Sequence, residues 1–106
     1  ALSNKGLALE ELGRHKEAIA CFDKVLRSDT ENVGALINKG LALDSLGRHE
    51  EAIACFNKVI RSDTENENVA GALHNKGLAL KALGRGEEAE QCFAKRDELY
   101  DPTRVD

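Results

Sequence analysis

Gly40-Leu-Ala-Leu-Asp-Ser-Leu-Gly47-Arg-His-Glu-Glu-Ala52-Ile-Ala-Cys55-Phe56 occurs three times, with variations, in a chain of 106 residues. The copy before it reads Gly6-Leu-Ala-Leu-Glu-Glu-Leu-Gly13-Arg-His-Lys-Glu-Ala18-Ile-Ala-Cys21-Phe22. The copy after it reads Gly77-Leu-Ala-Leu-Lys-Ala-Leu-Gly84-Arg-Gly-Glu-Glu-Ala89-Glu-Gln-Cys92-Phe93. The offset is 34 residues from Gly6 to Gly40 and 37 from Gly40 to Gly77. A period of this length marks a repeat architecture, in which each unit buries its apolar stripe against its neighbours. Small residues at Gly40 and Ala52 let two helix backbones approach, and Phe56 fills the wedge beside them.

Outward from that stretch, each unit reads as two helices, A and B, around a Gly-Arg turn. Helix A of unit one is expected over Ala1 to Leu12, with Gly13 as its left-handed stop. Helix B follows from about His15 to Arg27, with Ala18, Ile19, Phe22, Val25 and Leu26 at helical spacing. Ser28-Asp-Thr-Glu31 reads as a turn with a capping box. Unit two then gives helices over Val33 to Leu46 and His49 to Arg61. The insertion in Thr64-Glu-Asn-Glu-Asn-Val-Ala-Gly71 is expected to start helix A of unit three early, near Glu67, because acids suit a first turn. That helix runs to Leu83, where Gly84 ends it. Asp101-Pro102 stops the last helix, and the tail beyond it is expected to fray. No Ser, Thr or Asp cap precedes Ala1, which implies a chain that begins earlier or an excised fragment.

These features resemble the tetratricopeptide repeat family, whose unit is a helix–turn–helix of 34 residues. Gly40, Leu43, Gly47, Ala52, Phe56 and Val59 fall on its pattern, and the resemblance covers nearly the whole chain. The family's early Trp or Tyr is Leu2, Leu36 and Leu73 here. Its Leu before the first Gly is Lys5, Lys39 and Lys76, and its closing Pro is Thr30 and Thr64. The resemblance implies an all-α fold, antiparallel helix–turn–helix repeats stacked into a right-handed solenoid. The expected organisation is one domain over 1–106, with repeat 1 at 1–32, repeat 2 at 33–66, repeat 3 at 67–101 and a tail at 102–106. Repeat 3 is of capping type. Ile19 and Ile53 become Glu90, Val25 and Val59 become Arg96, and Leu26 and Ile60 become Asp97. All three are read as facing the position of a following repeat, where a terminal unit meets water.

On a helical wheel, helix A of unit two buries Leu36, Lys39, Gly40, Ala42, Leu43 and Leu46. The lysines of that arc are expected to snorkel or to pair with a carboxylate of the next hairpin. The opposite arc holds Ile37, Asn38, Leu41, Asp44 and Ser45. Its counterparts are Ser3, Asn4, Leu7, Glu10 and Glu11 in unit one, and His74, Asn75, Leu78, Lys81 and Ala82 in unit three. Leu7, Leu41 and Leu78 stand at its centre, where a purely solvated face would carry charge, and Asn4, Asn38 and Asn75 line its edge. Units one and two are near copies, differing at six positions between Ala1–Asn32 and Ala35–Asn66, and three of the six fall on this arc. The resemblance places it on the concave groove. A primary amide offers two donors and an acceptor, so a column of Asn can hold an extended peptide backbone, as in several peptide-binding members of the family. The expected site is therefore peptide-binding: Asn4, Leu7, Ile37, Asn38, Leu41, Asp44, His74, Asn75, Leu78 and Lys81. The family's carboxylate clamp would fall on Ser3, Leu7, Asn38, Gly71 and Asn75, of which Asn38 alone matches, so a free carboxylate is not the expected ligand group.

Other chemistry finds no support in the residues. His15 and His49 open helix B at the surface, His74 has no catalytic or metal-binding partner, and no nucleophile sits beside a base, so no enzyme, metal or cofactor is expected. A net charge of −4 with interleaved basic residues argues against nucleic acid. No apolar run approaches the roughly 18 residues of a membrane span. Cys21, Cys55 and Cys92 recur at one position per unit, too far apart in stacked repeats for a disulfide, and read as small buried hydrophobes. Buried free thiols suggest a reducing, cytoplasmic setting. The partner is then a protein or peptide. The alternative is a structural scaffold that self-associates head to tail through the open N-terminal face.

Overall fold

The computed structural model describes the backbone of residues 4–62 and 66–100, and the side chains of 13–62 and 67–99. Five helices form its body: α1 (Asn4–Ser28), α2 (Val33–Ser45), α3 (His49–Ser62), α4 (Asn66–Ala82) and α5 (Gly86–Tyr100). Helices α2 and α3 make one antiparallel hairpin, α4 and α5 the next, and α3 packs on α4. The architecture is all-α, in sequential antiparallel pairs. The side chains of Asn4, Lys5 and Leu7, the segment 63–65 with Thr64, and the tail at 101–106 lie outside the described residues.

The two hairpin turns have one chemistry. Gly47 and Gly84 take φ of +80° and +77°, a region open to glycine because it lacks Cβ. The Arg48 amide donates to the Leu43 carbonyl at 2.9 Å and the Gly47 amide to the Asp44 carbonyl at 3.0 Å. Arg85 and Gly84 repeat this with Leu80 and Lys81 at 2.9 and 3.0 Å. This pair of bonds satisfies carbonyls that the helix end leaves orphaned. Across the turn the Arg48 guanidinium clamps Glu51 with two hydrogen bonds, of 2.9 and 2.6 Å. That contact holds the Glu51 carboxyl below its usual range and raises Arg48. Helix α2 begins on Asn32, whose Oδ1 accepts from the Ala35 amide at 2.9 Å, so the cap is this Asn and not the Ser28–Glu31 box.

Unit one departs from the expected hairpin. Helix α1 runs unbroken through Gly13, which keeps helical geometry where Gly47 and Gly84 turn. At about 1.5 Å per residue its 25 residues span roughly 37 Å. Local sequence does not explain the difference, because Leu12-Gly13-Arg14-His15 matches Leu46-Gly47-Arg48-His49. Helix α2 packs against α1, α3 and α4.

Two cores follow. The first gathers Ile19, Leu36, Ala42, Leu43, Ala52, Cys55, Phe56, Val59 and Ala72. The second gathers Ile53, Leu73, Ala79, Leu80, Ala89 and Cys92, with Ile60 between the two. Phe56 is fully buried against Gly40, where a Cβ would stand 2.5 Å from its Cε1. Gly77 and Phe93 repeat the contact. Ile19 and Ile53 each pack into the core of the following unit.

The third member of the expected cap is corrected. Glu90 and Asp97 are exposed, but Arg96 is half-buried and folds onto its own hairpin. Its guanidinium lies 5.0 Å from the Phe93 ring centroid and 2.7 Å from His74 Nδ1. The contact with His74 sets Arg96 against helix A of its own unit, and Val59, at the same position of unit two, is fully buried.

Candidate groove on the paired A helices

The outward face of α2 and α4 carries five of the eight expected site residues whose side chains the structure describes. Asn38 and Leu41 are exposed on α2, and Leu78 and Lys81 are exposed on α4, with Asn75 half-buried beside Leu78. Leu41 and Leu78 are 41% and 45% exposed, and the only other large exposed hydrophobic among the described residues is Val25. Helices α2 and α4 touch directly, so the two Asn–Leu pairs stand on adjacent A helices.

Three other expected members are engaged elsewhere. Ile37 is half-buried and packs against the first core. His74, at the same position of unit three, stacks obliquely on Phe93 with ring centroids 6.0 Å apart and meets Arg96. Asp44 is half-buried and bonded to His49 across the turn. Asn4 and Leu7 are placed by sequence alone. The described face is thus narrower and less charged than the wheel implies, with Asn amides, Leu side chains and the Lys81 ammonium.

Sequence reasoning missed a second repeated feature on another face. A cavity of about 340 Å³ is lined by Leu26, Leu36, Lys39, Glu51, Cys55 and Lys58, among others. One of about 400 Å³ repeats it at Ile60, Leu73, Lys76, Glu88, Cys92 and Lys95. The Lys column at a family Leu position was its signal: a long side chain cannot fill the site that Leu would. Lys39 reaches Asp23 at 2.6 Å, a carboxylate of the preceding helix and not of the next hairpin. Cys55 and Cys92 are buried beside these lysines, and burial pushes both thiols up. Cys21, expected to be buried like them, is exposed.

Among the described residues no group of three His, Cys, Asp or Glu could hold a metal ion, and no helix is long and apolar enough to cross a membrane. A family model described as tetratricopeptide repeat matches residues 3–67, and a second with the same description matches 69–95. A solved structure, MamA AMB-1 in crystal form P212121, is similar at a TM-score of 0.73 and 27% identity over 93% of this chain. The match covers 54% of that chain, so this one spans about half the length of the relative. No curated protein matches.

Proposed function

We propose that this chain, which belongs to the tetratricopeptide repeat family and is thus a non-catalytic protein–protein interaction module, grips an extended peptide segment along the outward face of its A helices. The observation that carries the reading is the paired exposure of Leu41 and Leu78 beside Asn38 and Asn75. An exposed Leu alone needs no explanation. The same Leu exposed at the same position of two stacked hairpins, each next to an amide, supports a surface with a repeated purpose. The Asn amides would bond the peptide backbone, which every sequence shares, and the Leu column would take apolar side chains. By sequence Asn4 and Leu7 extend the two columns into unit one.

The test is titration calorimetry on peptides selected from a random displayed library. Each amide contributes about 0.5–1.5 kcal/mol, the usual net value of a hydrogen bond. Replacing Asn4, Asn38 and Asn75 together by Ala is expected to weaken binding roughly 10- to 1,000-fold with little change in the circular dichroism melt. Leu41→Asp is expected to impair binding likewise. Affinity is expected to depend little on salt, because the contacts are mostly uncharged. Unchanged affinity in the triple variant removes the amide column from the account.

A further inference from the structure

We infer that the cavity of unit three, lined by Ile60, Leu73, Lys76, Leu80, Cys92 and Lys95, binds a small organic carboxylate with an apolar tail, and that Asp23 shuts the matching cavity of unit two to the same ligand.

The two cavities are built alike. Leu26, Leu36, Lys39, Leu43, Cys55 and Lys58 in the first stand where Ile60, Leu73, Lys76, Leu80, Cys92 and Lys95 stand in the second. The lining has two parts. Three aliphatic side chains and a thiol form an apolar wall, in which Leu73, Leu80 and Cys92 are buried and Ile60 is half-buried. Two ammonium groups complete it, from half-buried Lys76 and exposed Lys95. A volume of about 400 Å³ suits a small molecule, whose sites run from roughly 300 to 1,000 Å³.

One residue sets the cavities apart in charge. In unit two the Lys39 ammonium is held by Asp23 at 2.6 Å. The residue that stands to Lys76 as Asp23 does to Lys39 is Asn57, one of the six differences between two near-identical units. An amide cannot neutralise an ammonium. Among the described residues neither Lys76 nor Lys95 has a carboxylate partner. Glu88, the one acid of the lining, is engaged by Arg85 at 2.5 Å. The thiols register the same difference. Burial raises both, and the neighbouring lysines oppose the rise at both. At Cys55 the carboxylates of Asp23 and Glu51 add to it, whereas at Cys92 only that of Glu88 does.

This combination selects a ligand by chemistry. An ammonium set against an apolar wall gains a charge-assisted bond to an anionic head, and the wall favours a tail that leaves water. Glu88 repels a second negative charge, so the head is a carboxylate and not a phosphate. None of Asn38, Leu41, Asn75 and Leu78 lines the cavity, so its ligand is independent of the peptide groove.

The test is a methyl NMR titration with octanoate, without peptide, and with octanol as the neutral control. Octanoate is expected to move the methyls of Ile60, Leu73 and Leu80 along one saturating curve while those of Leu41 and Leu78 stay still. Octanol is expected to bind about tenfold or more weakly, and Lys76→Leu to weaken octanoate by a similar factor, since each removes a charged hydrogen bond. Asn57→Asp copies a residue that unit one already carries, and is expected to weaken octanoate about threefold or more. Asp23→Asn is expected to open the matching cavity, so that the methyls of Leu26, Leu36 and Leu43 join the response. Circular dichroism checks that each variant keeps the parental fold. Octanol as tight as octanoate reduces the site to an apolar cleft and overturns the inference. So do unmoved methyls at Ile60, Leu73 and Leu80, shifts at Leu41 and Leu78 in their place, parental affinity in Asn57→Asp, or a parental response in Asp23→Asn.

Discussion

Gly40 and Phe56 show how one missing side chain sets the distance between two helices. Any Cβ at Gly40 meets the Phe56 ring at 2.5 Å, and Ala52 is wholly buried on the facing helix. Ala52→Leu is expected to cost about 1–3 kcal/mol through overpacking, and Gly40→Leu at least as much. Gly71→Ala is the control. It lies inside α4, where an added Cβ meets nothing within 4 Å, so the substitution is expected to stabilise by about 0.5–1 kcal/mol through helix propensity. Urea melts of the three variants check the order. The thiols give a second prediction at this scale. Burial raises Cys55 and Cys92 above their ordinary value of 9.0. A group whose folded pKa is raised contributes stability below its unfolded pKa and loses it as pH climbs through the folded value. The melting midpoint is therefore expected to fall as pH rises above 9, and to fall less in the Cys55→Ala, Cys92→Ala double variant.

Helices α2 to α5 are legible in the sequence because their punctuation is local: the Gly-Arg turns, the acids in the first turns of α3, α4 and α5 and the 3–4 spacing of apolar residues. The close packing of Gly40 on Phe56 is legible for the same reason, being a matter of residue size at fixed spacing. Helix α1 is not legible. Its Leu12-Gly13-Arg14-His15 is letter for letter the sequence that turns at Gly47, so these four residues do not set the outcome. Arg96 is misplaced by sequence reasoning because Ile53, Val59 and Ile60 all lie on one helix, while Ile53 packs into the core of the next unit, Val59 into the first core and Ile60 between the two. Of the candidate site, the Asn and Leu positions follow from the wheel, but the engagement of Ile37, Asp44 and His74 depends on side chains across the hairpin. The corrected cap yields a prediction at this scale. Glu90→Ile with Asp97→Leu rebuilds the face that Ile53 and Ile60 present to the next unit, and is expected to promote self-association by exposing a contiguous apolar patch. Sedimentation velocity over a concentration series checks it, and sedimentation like the parent means that the patch is already covered.

Among the described residues two complete hairpins follow one unbroken helix. This arrangement separates two surfaces by their chemistry. The outward face of α2 and α4 carries exposed Leu side chains beside Asn amides, whereas the second half of α1 leaves Cys21, Phe22 and Val25 uncovered. The central claim is that the outward face of the A helices is the peptide-binding surface. The most direct measurement is a heteronuclear NMR titration of the chain with a selected peptide, following the Leu methyls and the Asn side-chain amides. The account predicts the largest shift changes at Leu41, Leu78, Asn38 and Asn75. Changes confined to the cavities beside Cys55 and Cys92, with those four signals unmoved, would contradict it.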